Sequence, residues 1–248
     1  MRRALFAIAL AIALSAVAAT GAPAQEGGAS CFGEPATIVA DGSSTIYGTP
    51  GPDVIVGTSA NETIYGLGGD DLICGGLGDD TIFGGDGNDT IIGDTGESLP
   101  PPGCDQPQCG HPNAPGGNDV IFGGSGDDSI LAENGSDRID AGDGNDFAAG
   151  NVGDDMVSGG TGDDELFGGF GHDLVKGEDG NDLLLGNFGN DVLIGGKGDD
   201  LLDGDISGEN GPAPDPNPNF DVCNGQQGSD GAYGCEQANQ VETIFPFP

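Results

Sequence analysis

Positive charge is almost missing from this chain. The 248 residues include five Lys and Arg against 42 Asp and Glu, which gives a formal net charge of −37. DNA, RNA and acidic polysaccharides are bound through Lys and Arg, so the composition argues against direct binding of nucleic acid or another polyanion. A chain this acidic repels itself, and its 51 glycines lose much backbone entropy on folding. A cation is therefore the expected partner.

Histidine is also scarce, and its scarcity limits catalytic chemistry. His111 and His172 are the two histidines, and neither lies beside a nucleophile motif, so no Ser/His/Asp arrangement can be proposed. Cys104, Cys109 and His111 suggest zinc, but such a set in a Pro-rich exported loop more often means one disulfide and a spectator histidine. No stretch outside the repeats described below exceeds about forty residues, which is too short for a catalytic domain. We therefore expect no enzyme activity.

Long apolar runs are missing beyond residue 24. The single run, LFAIALAIALSAVAA, follows the basic pair Arg2-Arg3 and precedes small residues at Ala22-Pro23-Ala24. This order predicts a secretory signal peptide over residues 1–24, and the alternative is an uncleaved membrane anchor, for which the run is short. We expect a secreted, extracellular mature protein without a membrane span.

The six cysteines of an exported chain favour disulfides. We favour the pairs that each join one local unit: Cys31–Cys74, Cys104–Cys109 and Cys223–Cys235. Six cysteines allow many pairings, so different pairs or free thiols remain alternatives.

A nine-residue word fills most of the chain, as in GGLGDDTIF GGDGNDTII at residues 75–92. Repeats occupy residues 48–92 and 114–203, with insertions at 93–113 and 204–215. Residues 25–47 are an N-terminal cap, and residues 216–248 are a C-terminal cap with degenerate repeats. A fixed period over this length predicts a solenoid in which each unit packs on its neighbours.

The positions of the unit, counted from Gly48, have different chemistry. Position 8 is always apolar, whereas positions 7 and 9 are mixed, so positions 7 to 9 predict a three-residue strand with position 8 inside. Positions 1 to 6 hold the glycines and form the turn. Two units then make one flattened coil of about eighteen residues, with two parallel sheets and an all-β fold. The outward residues Phe83, Phe122, Phe167, Leu185 and Ile194 suggest an outer apolar stripe, which either docks a partner or is covered by the insertions.

Position 6 is a carboxylate in every unit. Units two apart lie on the same edge of the coil, which stacks Asp71 on Asp89 and Asp146 on Asp164. Like charges about 5 Å apart repel, and a divalent cation between them reverses the effect. Calcium suits this geometry better than magnesium, with turn carbonyls completing the shell. The candidate ligands are Asp53, Glu62, Asp71, Asp80, Asp89, Asp119, Asp128, Asp137, Asp146, Asp155, Asp164, Asp173, Asp182, Asp191 and Asp200.

Units such as GGSGDDSIL and GGKGDDLLD match GGxGxDxUx, so the chain resembles the RTX, or hemolysin-type, calcium-binding repeat proteins over residues 40–203 and 221–235. The resemblance implies a right-handed parallel β-roll solenoid of these repeats, with Ca²⁺ between successive turns on each edge. About 8–12 ions would fill it. Glu62 and Ala60 depart from the pattern, so we expect a weak or absent site there.

The resulting hypothesis is an exported calcium-binding repeat protein that folds when Ca²⁺ binds between stacked turns. Its role is structural, adhesive or at the cell surface, with a partner that the sequence does not identify. The alternative is a non-catalytic accessory or targeting module of a secreted hydrolase system. An ice-binding surface would need a regular outward array of threonines, and position 7 offers only Thr63, Thr81 and Thr90.

Overall fold

The molecule is built from short strands. A computed structural model describes residues 29–94, 116–205, 222–227, 231–233, 235, 237–239 and 243–244, and these residues contain strands but no helix. The predicted signal peptide and the Cys104–Cys109 pair lie outside the described residues. The strands are β1 Ser30–Cys31, β2 Glu34–Pro35, β3 Ile38–Val39, β4 Thr45–Tyr47, β5 Val54–Val56, β6 Thr63–Gly68, β7 Leu72–Gly76, β8 Thr81–Asp86, β9 Thr90–Asp94, β10 Val120–Ser125, β11 Ser129–Asn134, β12 Arg138–Asp143, β13 Phe147–Val152, β14 Met156–Thr161, β15 Glu165–Gly171, β16 Leu174–Asp179, β17 Leu183–Gly189, β18 Val192–Lys197, β19 Leu201–Asp205, β20 Val222–Gln227, β21 Gly231–Tyr233, β22 Gln237–Asn239 and β23 Thr243–Ile244.

Alternate strands form two parallel sheets. The even-numbered strands β4 to β22 make a ten-stranded sheet, and the odd-numbered strands β3 to β23 make an eleven-stranded sheet. Neighbouring strands keep the register of the repeat, with Ile64 opposite Ile82 and Ile73 opposite Ile91. Ile82 also pairs with Ile121, so the sheets continue across residues 95–115 without a shift. The predicted all-β parallel β-roll is confirmed. It begins earlier than the repeat frame, because β3 and β4 of the predicted N-terminal cap already pair in the sheets.

The core is the predicted double column of position-8 side chains. Each of them, from Ile55 to Leu202, is at most 1% exposed. Ala132 and Ala141, which replace glycine at position 1, are also fully buried and join the same cluster. Because the column is one side chain wide in each sheet, every unit packs mainly on the units before and after it.

The strands from β6 to β19 are longer than the three residues that the sequence predicted, which only β5 keeps among the strands of the repeats up to residue 203. β8 covers positions 7 to 9 of one unit and continues through positions 1 to 3 of the next, Gly84 to Asp86. A Cβ on Gly84 would lie 2.5 Å from the carbonyl oxygen of Gly123 on the neighbouring strand, so glycine allows the backbones to approach closely enough to extend the ladder. The prediction of a three-residue strand and a six-residue turn was wrong for β6 to β19, since each of these strands continues at least to position 2 of the next unit, and β15 and β17 reach position 4.

The glycines of positions 2 and 4 differ in how strictly they are required. Position 2 accepts other residues in the left-handed region, with φ between +66° and +82° at Leu67, Glu133, Asn151, Glu178, Asn187 and Gln226. Position 4 is glycine in every unit from 48 to 203 except at Ala60. At Gly162, with φ +127°, an added Cβ would collide with the Gly144 carbonyl oxygen. Position 4 therefore combines a left-handed backbone with direct backbone contact between turns.

Two disulfides support the ends of the roll. Cys31 in the β1–β2 hairpin bonds to Cys74 with an S–S distance of 2.00 Å, and both pack with Ile92 outside the odd-numbered sheet. Cys223 bonds to Cys235 near the other end. These two predicted pairs are confirmed.

The predicted outer apolar stripe divides between the two sheets. Phe83, Phe122 and Ile194 lie in the even-numbered sheet, whereas Phe167 and Leu185 lie in the odd-numbered one. A single stripe was therefore wrong, because successive units alternate between sheets. The first two belong to a column of stacked rings, Tyr47, Tyr65, Phe83 and Phe122, with centroids 4.8–5.1 Å apart.

We expect Gly162→Ala to destabilise the calcium-loaded roll by more than about 2 kcal/mol. The alanine would have an unfavourable positive φ, and its Cβ would collide with the Gly144 carbonyl oxygen. Glu178→Asn is the matched control at position 2, where the backbone already holds a side chain at φ +80°, and it should cost less than about 1 kcal/mol because asparagine also tolerates this region. Urea unfolding followed by circular dichroism measures both. Equal losses of stability would contradict the distinction between the two positions.

Candidate metal centre

The position-6 side chains form two ladders, one along each edge of the roll. The Asp71 Oδ1 accepts a hydrogen bond from the Asp53 main-chain N–H at 2.8 Å, and the Asp89 Oδ1 accepts one from the Asp71 N–H at 2.9 Å. The Asp119 Oδ1 accepts from the Asp80 N–H across residues 95–115, so the ladder is continuous there. The expected stacking, including Asp146 on Asp164, is present.

The structure brings every candidate ligand into one of these ladders. Each is at most 8% exposed. One edge carries Asp53, Asp71, Asp89, Asp128, Asp146, Asp164, Asp182 and Asp200, and the other carries Glu62, Asp80, Asp119, Asp137, Asp155, Asp173 and Asp191.

The second carboxylate oxygen distinguishes most of these side chains from an ordinary hydrogen-bonded ladder. This Oδ2 atom is buried and has no hydrogen-bond partner in Asp71, Asp80, Asp89, Asp119, Asp128, Asp137, Asp146, Asp155, Asp164, Asp173 and Asp182. Burying an ionised carboxylate oxygen without a donor or cation is strongly unfavourable. The repeat therefore places a buried carboxylate oxygen that lacks a donor or a cation in turn after turn.

Eight of these eleven open, unpartnered oxygens face the glycine that begins their own unit, and the Asp119 Oδ2 faces Gly93. The units of Asp137 and Asp146 begin instead with Ala132 and Ala141. A Cβ on Gly177 would overlap the Asp182 Oδ2 and lie 2.6 Å from the carbonyl oxygen of Gly195 in the next turn of the same edge. Among the described residues, no three Asp, Glu, His or Cys side chains converge on one point. A cation here would therefore combine carboxylate oxygens with main-chain carbonyls, a donor set that suits calcium.

The first two units satisfy their carboxylates without a cation. The Thr49 N–H and hydroxyl donate to the Asp53 Oδ2 at 2.6 and 2.9 Å. In the next unit, the Thr58 N–H donates to the Glu62 Oε2 at 3.0 Å, and its hydroxyl donates to the Oε1. The sequence pointed to Glu62 and Ala60 as departures, but the chemical difference lies in the threonine at position 2. Asp53 shares it although its unit keeps the glycine at position 4.

Burial changes the protonation of the ladder. Desolvation raises the pKa of Asp164 to about 7, opposed by the hydrogen bond from the Asp146 N–H and reinforced by repulsion from the Asp146 and Asp182 carboxylates. Desolvation raises the pKa of Asp155 to about 8, with the same opposing hydrogen bond from Asp137. Without a cation, the folded roll favours protonated carboxyl groups near neutral pH.

A second ladder, at position 5, was not predicted. The Asp163 main-chain N–H donates to the Asn145 Oδ1 at 3.0 Å, and the Asn181 N–H donates to the Asp163 Oδ1 at 2.8 Å. Along this edge the column alternates acid and amide: Asp70, Asn88, Asp127, Asn145, Asp163, Asn181 and Asp199. On the other edge the His172 Nδ1 accepts from the Asn190 N–H at 3.0 Å. The alternation of acid and amide at position 5 is the sequence pattern from which this ladder could have been predicted. It keeps acidic side chains from stacking directly on one another.

The profile of the RTX calcium-binding nonapeptide repeat family matches overlapping segments of the chain, at residues 40–73, 47–82, 75–98, 116–148, 142–175, 149–184 and 176–206. The chain belongs to this family. A search of curated proteins returned no significant match. The RTX segments cover both ladders, so the family's calcium chemistry and the open carboxylate oxygens concern the same residues.

We expect the metal-free RTX roll to gain stability on acidification. The position-6 carboxyl groups with an open Oδ2 have a pKa of about 6–8 when folded, against 3.8 for an unperturbed aspartate, so the folded state holds more protons between these values. The stabilisation is complete below about pH 4 and is lost as the pH rises through 6 to 8. Circular dichroism of calcium-stripped protein should show more β structure at pH 4.5 than at pH 8. A pH-independent spectrum, or loss of β structure on acidification, would contradict this sign.

Proposed function

We propose that this RTX chain is an exported, non-enzymatic protein that folds outside the cell when several calcium ions bind between its stacked turns. Asp71, Asp80, Asp89 and the later position-6 aspartates supply the carboxylate ligands, and turn carbonyls supply the rest. The folded roll serves a structural, adhesive or cell-surface role.

The repeated open Oδ2 atom carries the proposal. A buried carboxylate oxygen without a donor occurs once in each of many units, and in eight of them it lies against the position-1 glycine of the same unit. Catalytic carboxylates occur as single pairs in one cleft, whereas this group is spread along the whole roll. When bound, calcium supplies the positive charge that this acidic chain lacks, and binding free energy adds to folding free energy.

The two disulfides and the predicted signal peptide support export. The Cys31–Cys74 and Cys223–Cys235 disulfides suit an oxidising compartment. The predicted signal peptide, residues 1–24, agrees with that location. The described residues form no helix of the length and apolarity needed to cross a membrane.

Calcium titration of the stripped protein at pH 7.5 tests the proposal. We expect low β content in excess chelator and a steep gain of β circular dichroism as calcium is added, because neighbouring turns share both ions and packing. Magnesium at the same concentration should give a smaller change. A chain equally folded in chelator and in calcium would sink the proposal.

Substitution separates open carboxylates from satisfied ones. Asp164→Asn keeps an acceptor for the Asp146 N–H but removes the charge, so it should lower the number of bound ions by about one or two per chain. Asp53→Asn is the control, because Thr49 already satisfies that carboxylate, and it should leave the number unchanged. Equilibrium dialysis with total calcium analysis measures both. An equal loss in the two variants would show that the open oxygen is not the relevant feature.

A further inference from the structure

Asp94 is a buried carboxylate outside the position-6 ladders. It ends β9 immediately before residues 95–115, pairs in register with the position-2 residue Gly76, and is 1% exposed. Its two oxygens share one donor, the Gly117 main-chain N–H, at 3.2 and 3.0 Å. Gly117 follows residues 95–115, so this contact joins the two sides of that segment.

The backbone explains where the Asp94 side chain points. Most non-glycine residues at position 2 have positive φ, and one of them, Glu178, sends its carboxylate to Ser158 on the outer face of the even-numbered sheet. Asp94, Thr49 and Thr58 do not have positive φ. Both threonines direct their hydroxyls at the position-6 carboxylate of their own unit. Asp94 likewise lacks a positive φ, and its carboxylate reaches the N–H of Gly117, two residues before the ladder residue Asp119.

The Asp94 side chain is a carboxylate near other carboxylates, whereas Thr49 and Thr58 bring a hydroxyl donor. Burial raises the pKa of Asp94 to about 8, reinforced by repulsion from Asp119, Asp137 and Asp80, with the Gly117 hydrogen bond as the opposing influence. Thr49 and Thr58 each donate a hydrogen bond to a ladder carboxylate, whereas Asp94 adds another carboxylate beside the ladder. Such a group is stable as a protonated acid or beside a cation.

Neighbouring oxygens at the same place lack partners. The Asp119 Oδ2 and the Asn134 Oδ1 are buried without a hydrogen bond, and their residues are 1% and 6% exposed. A Cβ on Gly116 would collide with both the Asp94 Oδ2 and the Asn134 carbonyl oxygen, so these two atoms face the same point. A Cβ on Gly93 would meet the Asp119 Oδ2 and lie 2.7 Å from the Ala132 carbonyl oxygen. Carboxylate, amide and carbonyl oxygens are the donors that calcium prefers.

We infer that Asp94 is an additional calcium ligand, which joins the Asp119 carboxylate and the oxygens of Asn134 in a site that ties β9 to the turn after residues 95–115. The inference rests on the proposed function, because it adds a ligand to one of the ladder's sites. A higher ligand charge raises calcium affinity, so this site fills before those with fewer carboxylates. The contact between the end of β9 and Gly116 then forms at a lower calcium concentration than the contacts at the other sites.

Asp94→Asn tests the inference sharply. Asparagine has the shape of a protonated aspartate and keeps an acceptor for the Gly117 N–H, so it preserves any purely structural role. Asp86→Asn is the control, since Asp86 is exposed at position 3 on the opposite edge. Wild type and both variants are titrated with calcium at pH 7.5, with bound calcium counted by equilibrium dialysis and folding followed by circular dichroism.

We expect Asp94→Asn to lose the tightest-binding ion or weaken it by about tenfold or more, while Asp86→Asn matches wild type. Wild-type binding in both variants would overturn the inference and leave Asp94 as a hydrogen-bond acceptor, with the proposed function intact. A wild-type chain that binds no calcium would overturn the proposed function as well. These two failures are therefore distinguishable.

Discussion

Like-charge repulsion inside stacked turns is the constraint on which this structure depends. The parallel register places each position-6 carboxylate on the one two units away, and the ladder hydrogen bond uses only one of its oxygens. The hydrophobic core is one position-8 side chain deep in each sheet, so apolar burial offers little surplus to offset this repulsion. The stability of the fold therefore depends more on the charged edges of the roll than on its apolar interior.

Stacked acidic side chains occur in three chemically different arrangements in this chain. Thr49 and Thr58 donate hydrogen bonds into the first two carboxylates. At position 5 of one edge, amides such as Asn145 alternate with acids, which separates the charges. In the rest of the position-6 ladders the open Oδ2 atoms have neither a hydroxyl donor nor an alternating amide, and the proposed function places the cation beside them. The three arrangements use the same repeat register, and they differ in side chain and, at position 2, in whether φ is positive.

Much of this architecture follows from the sequence. The nine-residue period, the apolar position 8 and the carboxylate at position 6 predicted the two sheets, the core and the stacking of Asp71 on Asp89. Strand length was mispredicted because glycine favours turns locally, whereas at Gly84 it allows close strand approach. Asp94 was missed because the repeat frame stops beside it, and its neighbours Gly116 and Asn134 are reached only after residues 95–115. Such contacts depend on three-dimensional closure, which a local motif does not encode.

The first repeat units, with Asp53 and Glu62, are the part of the roll from which folding is expected to start. Their carboxylates are satisfied by threonines, and the Cys31–Cys74 disulfide fixes the β1–β2 hairpin against the odd-numbered sheet. A preformed turn offers the next unit a strand to pair with, and solenoids grow by such nearest-neighbour addition. Each later turn brings another open carboxylate oxygen, so in the proposed function growth beyond Glu62 requires calcium. The first cation-independent turns would then set the register that every later calcium site inherits.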